Sequence, residues 1–489
     1  MIGLLVRNAS INIITEITTS VFGIVLFMVA GRILGPERIG IFSLAMTLGV
    51  LWGQLPNFGF DKLVARDIGR EHSQAAYYFS YITTTKVYLM LIAMVGVVIT
   101  CFAMGYEPLK RNVVLILSFT AFLQTFMVYF NSYFRAFQRA EYEAYIRIIM
   151  RTGNMILGVS VLYAGFGLIG FSLSQTFMAF IAIFMGLFFL KRKFIKLSLR
   201  WNITESKKFL INSFPFVLLS VLVMLYVSIG ILILNIFKGD YATGIFSAAG
   251  KLAQVMLFFP TAVTAAFLPI MSKLHSNRGD YESDLFDRIY GYAFKYMAII
   301  GIAIAAGFSV LSEPICVFLY GTKFIESGVA LRILGWAMAI SFLNTVMANT
   351  IIAVGKEKLL LYISVGAVLL NVLFNLWAVP RYSYAGAAFA NVITESAVII
   401  SQYIIIKPYL GPKFSYLRLV YKAILATMGM SVIVYVTSYY LHLHILISVF
   451  VGVAVYTVFL FLFKSFEPQE IKLVRDIISH KAEMDFPKA

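Results

Sequence analysis

Charged residues are scarce in this chain of 489 residues: they make up 13% of it, whereas hydrophobic residues make up 61%. Soluble globular domains are about 25% charged and about 45–50% apolar. This shortage excludes a soluble enzyme and a nucleic-acid binder, and the mean hydropathy of +0.87 indicates a chain embedded mostly in a membrane. The two cysteines, Cys101 and Cys316, are too few for a disulfide framework or a metal site.

Sequence motifs of pumps and membrane enzymes are also missing. The chain has no nucleotide-binding loop of the Gly-Lys-Ser/Thr type, which argues against an ATP-driven pump. An acidic Asp-x-Asp pair in an outer loop and a large outer domain, both expected of a membrane glycosyltransferase, do not occur. His442 and His444 are too few ligands for a metal site. We therefore expect no catalytic residue, no cofactor and no metal.

Long apolar runs, by contrast, fill most of the sequence. A helix that spans a bilayer needs about 20 residues, and fourteen runs of about that length follow one another. This pattern predicts an all-α polytopic membrane protein with about 14 transmembrane helices. The runs lie near 9–31, 39–60, 81–104, 112–134, 147–165, 168–190, 210–235, 245–271, 291–312, 330–353, 359–379, 386–406, 418–438 and 444–463.

The basic residues fall mainly on one side of these predicted spans. With the N-terminus placed inside, thirty lysines and arginines lie in inside segments and eight in outside segments. Cytoplasmic loops of membrane proteins show this bias, so we predict that both termini are cytoplasmic. The net charge of +17 then indicates contact with anionic membrane lipids, without any nucleic-acid partner.

Two short internal repeats divide the chain into halves. The segments 40–43 and 244–247 both read Gly-Ile-Phe-Ser and lie 204 residues apart. Gly35 matches Gly239 at the same offset. At an offset of 217, Ala136, Arg139, Tyr145 and Asn154 match Ala353, Lys356, Tyr362 and Asn371. Both offsets predict two six-helix lobes, 1–200 and 201–410, related by a pseudo-two-fold axis along the membrane normal. Two additional transmembrane helices (411–464) and a cytoplasmic tail (465–489) would follow.

Charged residues inside spans are the candidates for function, because a charge at mid-helix costs about 2.5–3.5 kcal/mol on insertion scales. Lys251 shares a helix face with Gln254 and Ser247. That face is typical of a cation in a wet cavity that contacts a phosphate-bearing head group. The alternative is a lysine that extends to the outer head groups.

Two acidic residues also lie within spans. Glu395 lies between two amide residues, with Asn391 one turn before it and Gln402 two turns after it. This polar stripe indicates a cavity wall, a proton or sodium site, or a structural hydrogen-bond cluster. Glu16 lies in the first span and would pair either with a cation across the cavity or with Lys86. The sequence leaves these alternatives open.

Prolines within spans are candidate hinges, because proline removes a backbone hydrogen bond and bends a helix. Bent helices at corresponding places in two halves suit alternating access, and a static bend is the alternative. The four prolines are Pro56, Pro215, Pro260 and Pro269.

Three segments resemble a known family. Residues 31–43 (GRILGPERIGIFS) resemble the junction between the first two helices of Wzx-type polysaccharide flippases. Residues 244–252 and 269–274 are similar to the eighth helix of that family, and 134–139 to its basic loop before the fifth helix. The family belongs to the MATE-like (MOP) superfamily.

The resemblance implies two six-helix lobes around a central cavity. A polyprenyl-pyrophosphate-linked oligosaccharide would cross from the cytoplasmic to the outer leaflet, with Lys251 in the cavity and Arg66, Arg135 and Arg139 gathering the anionic lipid. Family members need no cofactor, and coupling to a proton or sodium gradient and association with polysaccharide polymerisation machinery are expected. The membrane would be a bacterial inner membrane or an archaeal cell membrane.

Two other functions compete with this expectation. A drug/cation antiporter of the same superfamily usually has twelve spans and an acidic cavity, whereas this chain has fourteen predicted spans and a lysine. A membrane enzyme acting on lipid-linked sugars would need a large outer loop with catalytic groups.

Overall fold

The computed structural model describes residues 2–195, 198–276, 280–411 and 415–466, so the predicted tail lies almost wholly outside the described residues. The described chain is a bundle of α-helices joined by short turns. The helices are α1 (Ile2–Asn57), α2 (Phe60–Arg70), α3 (Ala75–Ala103), α4 (Pro108–Ala136), α5 (Ala140–Tyr163), α6 (Gly167–Lys193), α7 (Ile203–Met256), α8 (Phe258–Ser276), α9 (Asp280–Tyr320), α10 (Ser327–Ala353), α11 (Glu357–Ile406), α12 (Tyr416–Tyr435) and α13 (Ile445–Leu462).

Eleven stretches of the described helices are long and apolar enough to cross a membrane. Three of them are 40, 41 and 53 residues long, about twice the length that a bilayer requires. Each of these three contains one residue with non-helical backbone angles, at Gly35, Gly239 and Ser383. Each break divides a long stretch into two crossings, so the prediction of about 14 transmembrane helices is confirmed.

The first repeat forms the contact at the centre of the bundle. Gly35 and Gly239 have nearly the same left-handed backbone, with φ of 79° and 76°. Just beyond them, α1 and α7 touch backbone to backbone: a Cβ on Gly40 would lie 1.8 Å from the Asp240 carbonyl oxygen, and one on Gly244 would lie 1.8 Å from the Pro36 carbonyl oxygen. Because the two contacts are reciprocal, equivalent halves meet here across an approximate two-fold axis.

The second repeat gives two equivalent turns at the opposite end of the bundle. In the α4–α5 turn, the Arg139 amide donates to the Phe134 carbonyl, and in the α10–α11 turn the Lys356 amide donates to the Ile351 carbonyl. We call the end with these turns the predicted cytoplasmic end, and the end with the Gly35 and Gly239 breaks the predicted outer end. The matching geometry confirms that residues 134–140 and 351–357 are equivalent, as the sequence offset of 217 predicts.

Polar contacts between the halves close the predicted outer end. Lys110 Nζ on α4 lies 2.7 Å from an Asp240 carboxylate oxygen and donates to Asn235 Oδ1 at 3.0 Å. Arg32 Nε on α1 donates to the Leu319 carbonyl oxygen at the end of α9 over 2.8 Å. Together with the glycine contact, these bonds join the two halves at this end.

The remaining helices are placed around these halves. The first turns of α7 pack against α3, since Thr85 Oγ1 donates to Ser206 Oγ at 2.8 Å. The additional helices α12 and α13 pack on α9, where Tyr456 donates a hydrogen bond to the Ile299 carbonyl. The division of the chain at residue 200 stays a prediction.

The glycine contact generates a stability prediction. We expect Gly40→Ala to lower the free energy of unfolding by about 3 kcal/mol, the upper part of the range for overpacked cores, because backbone atoms cannot move aside. Gly250→Ala is the matched control on α7, since no atom lies within 4 Å of its added Cβ. The melting temperature of the purified protein measures both changes. Equal melting temperatures for the two variants would contradict the contact.

The closed outer end generates an accessibility prediction. Gln254 is exposed and lies about 15 Å along the helix from Gly244, towards the predicted cytoplasmic end. We expect a membrane-impermeant thiol reagent to label Gln254→Cys from the cytoplasmic side and to leave it unlabelled from outside. Lys238→Cys, exposed at the predicted outer end, should show the reverse. The native Cys101 and Cys316 are buried and provide the unlabelled background. Labelling of Gln254→Cys from outside alone would refute this arrangement.

Candidate functional site

A polar cavity of about 290 Å³ lies between α1, α4 and α5 in the first half of the bundle. On α4, Asn131 and Arg135 are one turn apart on one face, and on α5, Arg147 and Arg151 are likewise one turn apart. The two faces look towards each other across the cavity. The lining residues are Thr19, Gln124, Met127, Val128, Asn131, Arg135, Glu143, Arg147, Met150 and Arg151.

Glu143 holds two of the arginines in place. Its side chain is only 4% exposed, and its carboxylate accepts hydrogen bonds from Arg135 Nη1 at 3.1 and 3.2 Å and from Arg147 Nη2 at 2.6 Å. Charge-assisted bonds of this kind fix the orientation of a guanidinium. Because a guanidinium has five N–H donors, Glu143 uses only part of the donor capacity of Arg135. The cavity wall therefore presents fixed cations near its predicted cytoplasmic end.

The second half of the protein contributes Lys251 to the same region. Lys251 is half-buried on α7, and it lies within electrostatic range of Arg151 on α5. The two residues belong to different halves, so the positive charge near Arg151 comes from both halves, although Lys251 itself is not part of the described cavity lining. Gln254, which the sequence places on the face of Lys251, is exposed. The arrangement suits an anion with several oxygen atoms.

A second cavity, of about 250 Å³, lies between α7, α10 and the two crossings of α11. Glu395 lines it and accepts hydrogen bonds from the Tyr226 hydroxyl at 2.7 Å and from Asn344 Nδ2 at 2.6 Å. Asn391, one turn away, instead accepts a hydrogen bond from Asn371 Nδ2 at 3.3 Å. Glu395 is thus the acidic group of a cavity whose other lining is mainly apolar.

The two cavities occupy equivalent positions in the two halves. Adding the repeat offsets to the residues of the first cavity gives residues that line the second. Two of the three arginines of the first cavity, Arg147 and Arg151, correspond to a serine and a valine in the second. The cavities therefore have the same place in the fold and different chemistry. The equivalent pairs are Thr19 and Val223, Asn131 and Ala348, Glu143 and Leu360, Arg147 and Ser364, Met150 and Ala367, and Arg151 and Val368.

The structure brings only some of the predicted site residues together. Arg135 lines the first cavity, whereas Arg66 and Arg139 do not belong to its described lining. Arg66 pairs with Asp67 at 2.6 Å and lies over the Phe216 ring, and Arg139 pairs with Glu141. Those pairs are the ordinary surroundings of basic residues near a membrane surface.

The predicted acidic residue of α1 and the predicted hinge prolines do not belong to the described lining of the first cavity. Glu16 lies in α1 and Pro269 in α8, but the side chains of both fall outside the described residues. Pro56 is at the end of α1, Pro215 lies within α7, and Pro260 lies in the first turn of α8. The hinge function of these prolines stays a prediction.

Sequence reasoning missed the α5 side of the cavity. It placed Arg147 and Arg151 in or beside a cytoplasmic loop, because the apolar run was taken to begin at 147, whereas α5 begins at Ala140. Arg151 is therefore about 16 Å into the helix. The spacing of Glu143, Arg147 and Arg151, four residues apart each time, would have shown a polar face on a helix.

Lys86 is a further cation within a span, and the sequence offered Glu16 as one possible partner for it. Its side chain is fully buried, and Nζ donates to the Pro56 carbonyl oxygen at 2.9 Å, with the Phe126 ring 5.1 Å away. A cation near the last carbonyls of a helix is favourable. Lys86 therefore stabilises the end of α1, and it is not part of the described cavity lining.

Comparisons with known proteins agree with this architecture. A family described as polysaccharide biosynthesis protein matches residues 5–275. The capsular polysaccharide biosynthesis protein CapF of Staphylococcus aureus is 28% identical over 43% of this chain, a match that spans about half (52%) of that relative. A putative O-antigen transporter of Shigella dysenteriae is 21% identical over 76% of this chain and 91% of its own length.

A solved structure shows that the fold is shared. The lipid II flippase MurJ, in an inward closed conformation, superposes with a TM-score of 0.69 at 17% identity and covers 94% of this chain and 98% of its own. The family match extends over more than half of the sequence. The chain therefore belongs to the polysaccharide biosynthesis protein family and is a multi-pass membrane protein.

Proposed function

We propose that the protein moves a polyprenyl-pyrophosphate-linked oligosaccharide from the cytoplasmic to the outer leaflet by alternating access. The observation that carries this proposal is the cationic wall formed by Arg135, Arg147, Arg151 and Lys251. Cations at membrane depth are expensive and usually face a cavity or a partner. A pyrophosphate supplies the matching negative charge.

Physical chemistry supports an anionic lipid in this cavity. Arginine binds phosphate oxygens through paired N–H donors, and the low dielectric constant of a membrane protein interior strengthens the attraction. The sugar would occupy the polar cavity, while the prenyl chain stays among lipid tails. The ion pair of Lys110 with Asp240 at the predicted outer end supports entry of the substrate from the cytoplasmic leaflet. Both termini would then be cytoplasmic.

A drug/cation antiporter fits the first cavity less well. A cationic drug would be repelled by the wall of arginines, and Glu395, the acidic group that would attract it, lies in the other half. Its carboxylate oxygens also accept hydrogen bonds from Tyr226 and Asn344. The positive charge of the cavity favours the anionic substrate.

Glu395 supports a second element of the proposal, coupling to a proton or sodium gradient. A carboxylate among apolar residues is stabilised by gaining a proton or a cation. Tyr226 lies on the crossing of α7 before the break at Gly239 and Lys251 on the crossing after it, so a change at Glu395 would reach Lys251 through this connection. We propose that binding of the coupling ion at Glu395 biases the position of α7.

The first prediction of this proposal concerns Lys251. We expect Lys251→Ala to lower polysaccharide export at least tenfold, since loss of one charge-assisted contact costs about 1.5–3 kcal/mol, and Lys251→Arg to retain most of it. Lys208→Ala, which removes an exposed lysine with a 62% accessible side chain, is the control. Surface polysaccharide is measured in cells at equal protein levels. Full export by Lys251→Ala would exclude a direct function of this lysine.

The second prediction concerns Glu395. We expect Glu395→Gln to fold, because glutamine is of similar shape and can still accept the Tyr226 hydrogen bond, and to lose the dependence of transport on a proton or sodium gradient. Glu313→Gln, an exposed acid paired with Arg332, is the control. Transport into vesicles with and without each gradient measures the effect. An unchanged gradient dependence would show that the coupling ion binds elsewhere.

Deletion of the gene followed by lipid analysis tests the function as a whole. The proposal predicts that a prenyl-pyrophosphate glycan accumulates on the cytoplasmic side of the membrane. Unchanged glycolipids together with altered drug tolerance would instead support the antiporter.

A further inference from the structure

Asn131 is a buried amide residue in the lining of the arginine-lined cavity. The residue is only 4% exposed, and its amide oxygen has no hydrogen-bond partner among the described residues. A buried amide without a partner is unfavourable by about 1–3 kcal/mol. Such a group in a native protein requires an explanation, and a ligand that supplies the missing bond is one.

The position of Asn131 relative to the arginines indicates what that ligand would be. Asn131 lies one turn from Arg135 on the same face of α4, about 6 Å further from the predicted cytoplasmic end. Gln124 continues this face about 10 Å deeper and also lines the cavity. Along α4, the charged Arg135 therefore lies at the mouth of the cavity and the neutral amides lie behind it, whereas the arginines of α5 reach the depth of the amides.

The order of the charge and the amides along α4 matches the order of groups in a lipid-linked sugar. A pyrophosphate held at Arg135 places the first sugar next to it, deeper in the cavity, because the prenyl chain on its other side stays in lipid. An amide side chain can both donate and accept hydrogen bonds. Rotation of the Asn131 amide group by half a turn exchanges the positions of its oxygen and nitrogen. This rotation breaks no hydrogen bond of the oxygen, because the oxygen has none among the described residues. It can therefore bond a sugar hydroxyl or an acetamido group.

We propose that Asn131 contacts the first sugar of the substrate and contributes to its recognition, while the arginines bind the pyrophosphate. This inference rests on the proposed function and adds a specificity-determining residue to it. The equivalent residue in the other half is Ala348, which has no such capacity. At these two equivalent positions, only the residue of the first half can therefore bond a sugar through its side chain.

Binding of two kinds of probe to the full-length protein in nanodiscs tests the inference. One probe is a prenyl diphosphate without sugar, and the others are the same lipid carrying glucose, galactose or N-acetylglucosamine. We expect the native protein to bind at least one sugar-bearing probe about fivefold more tightly, the gain from one hydrogen bond. Asn131→Leu should lose that preference and keep its affinity for the bare diphosphate.

Asn154→Leu provides the matched control, because Asn154 is also a buried asparagine with an unpartnered oxygen but lies outside the described cavity lining. It should keep the sugar preference. If Asn131→Leu fails to fold, Asn131→Ala carries the same expectation. A retained preference in the folded Asn131 variant would overturn the inference.

Two further outcomes separate this inference from the proposed function. If the native protein binds the bare diphosphate but prefers no sugar-bearing probe, the inference about Asn131 is wrong and the flippase proposal stands. If it binds none of the lipids, both are wrong.

Discussion

The backbone contact between Gly40 and Gly244 is the constraint on which the arrangement of the bundle depends. Each glycine lies against a carbonyl oxygen of the other half, and neither position has space for a side chain. The contact brings the two halves together at the predicted outer end and fixes how they are related there.

The same symmetry explains how one fold provides two kinds of site. Equivalent cavities occur in both halves, but one carries arginines around Glu143 and the other carries Glu395 among apolar residues. Opposite charges in equivalent places suit a transporter that handles an anionic substrate in one half and a coupling cation in the other. α7 joins the two, because it contributes Tyr226 to one cavity and Lys251 to the other region.

Much of the fold was predictable from hydropathy and from short repeats. The fourteen crossings follow from apolar runs, and the pairing of Gly35 with Gly239 follows from an offset in the sequence. The cavity was harder to predict, because Arg147 and Arg151 resemble ordinary positive charge at a cytoplasmic loop until the start of α5 is known. Lys86 shows the reverse: its charge lies within a span, yet it only stabilises the end of α1.

Lipid translocation by the purified protein tests the central claim most directly. The protein is reconstituted into liposomes, a prenyl-pyrophosphate oligosaccharide is added to one leaflet, and an enzyme that cannot cross the bilayer reports its arrival at the other. The account predicts transfer that greatly exceeds the rate in protein-free liposomes and that falls when the arginines of the cavity are replaced. Transfer no faster than in protein-free liposomes would contradict it.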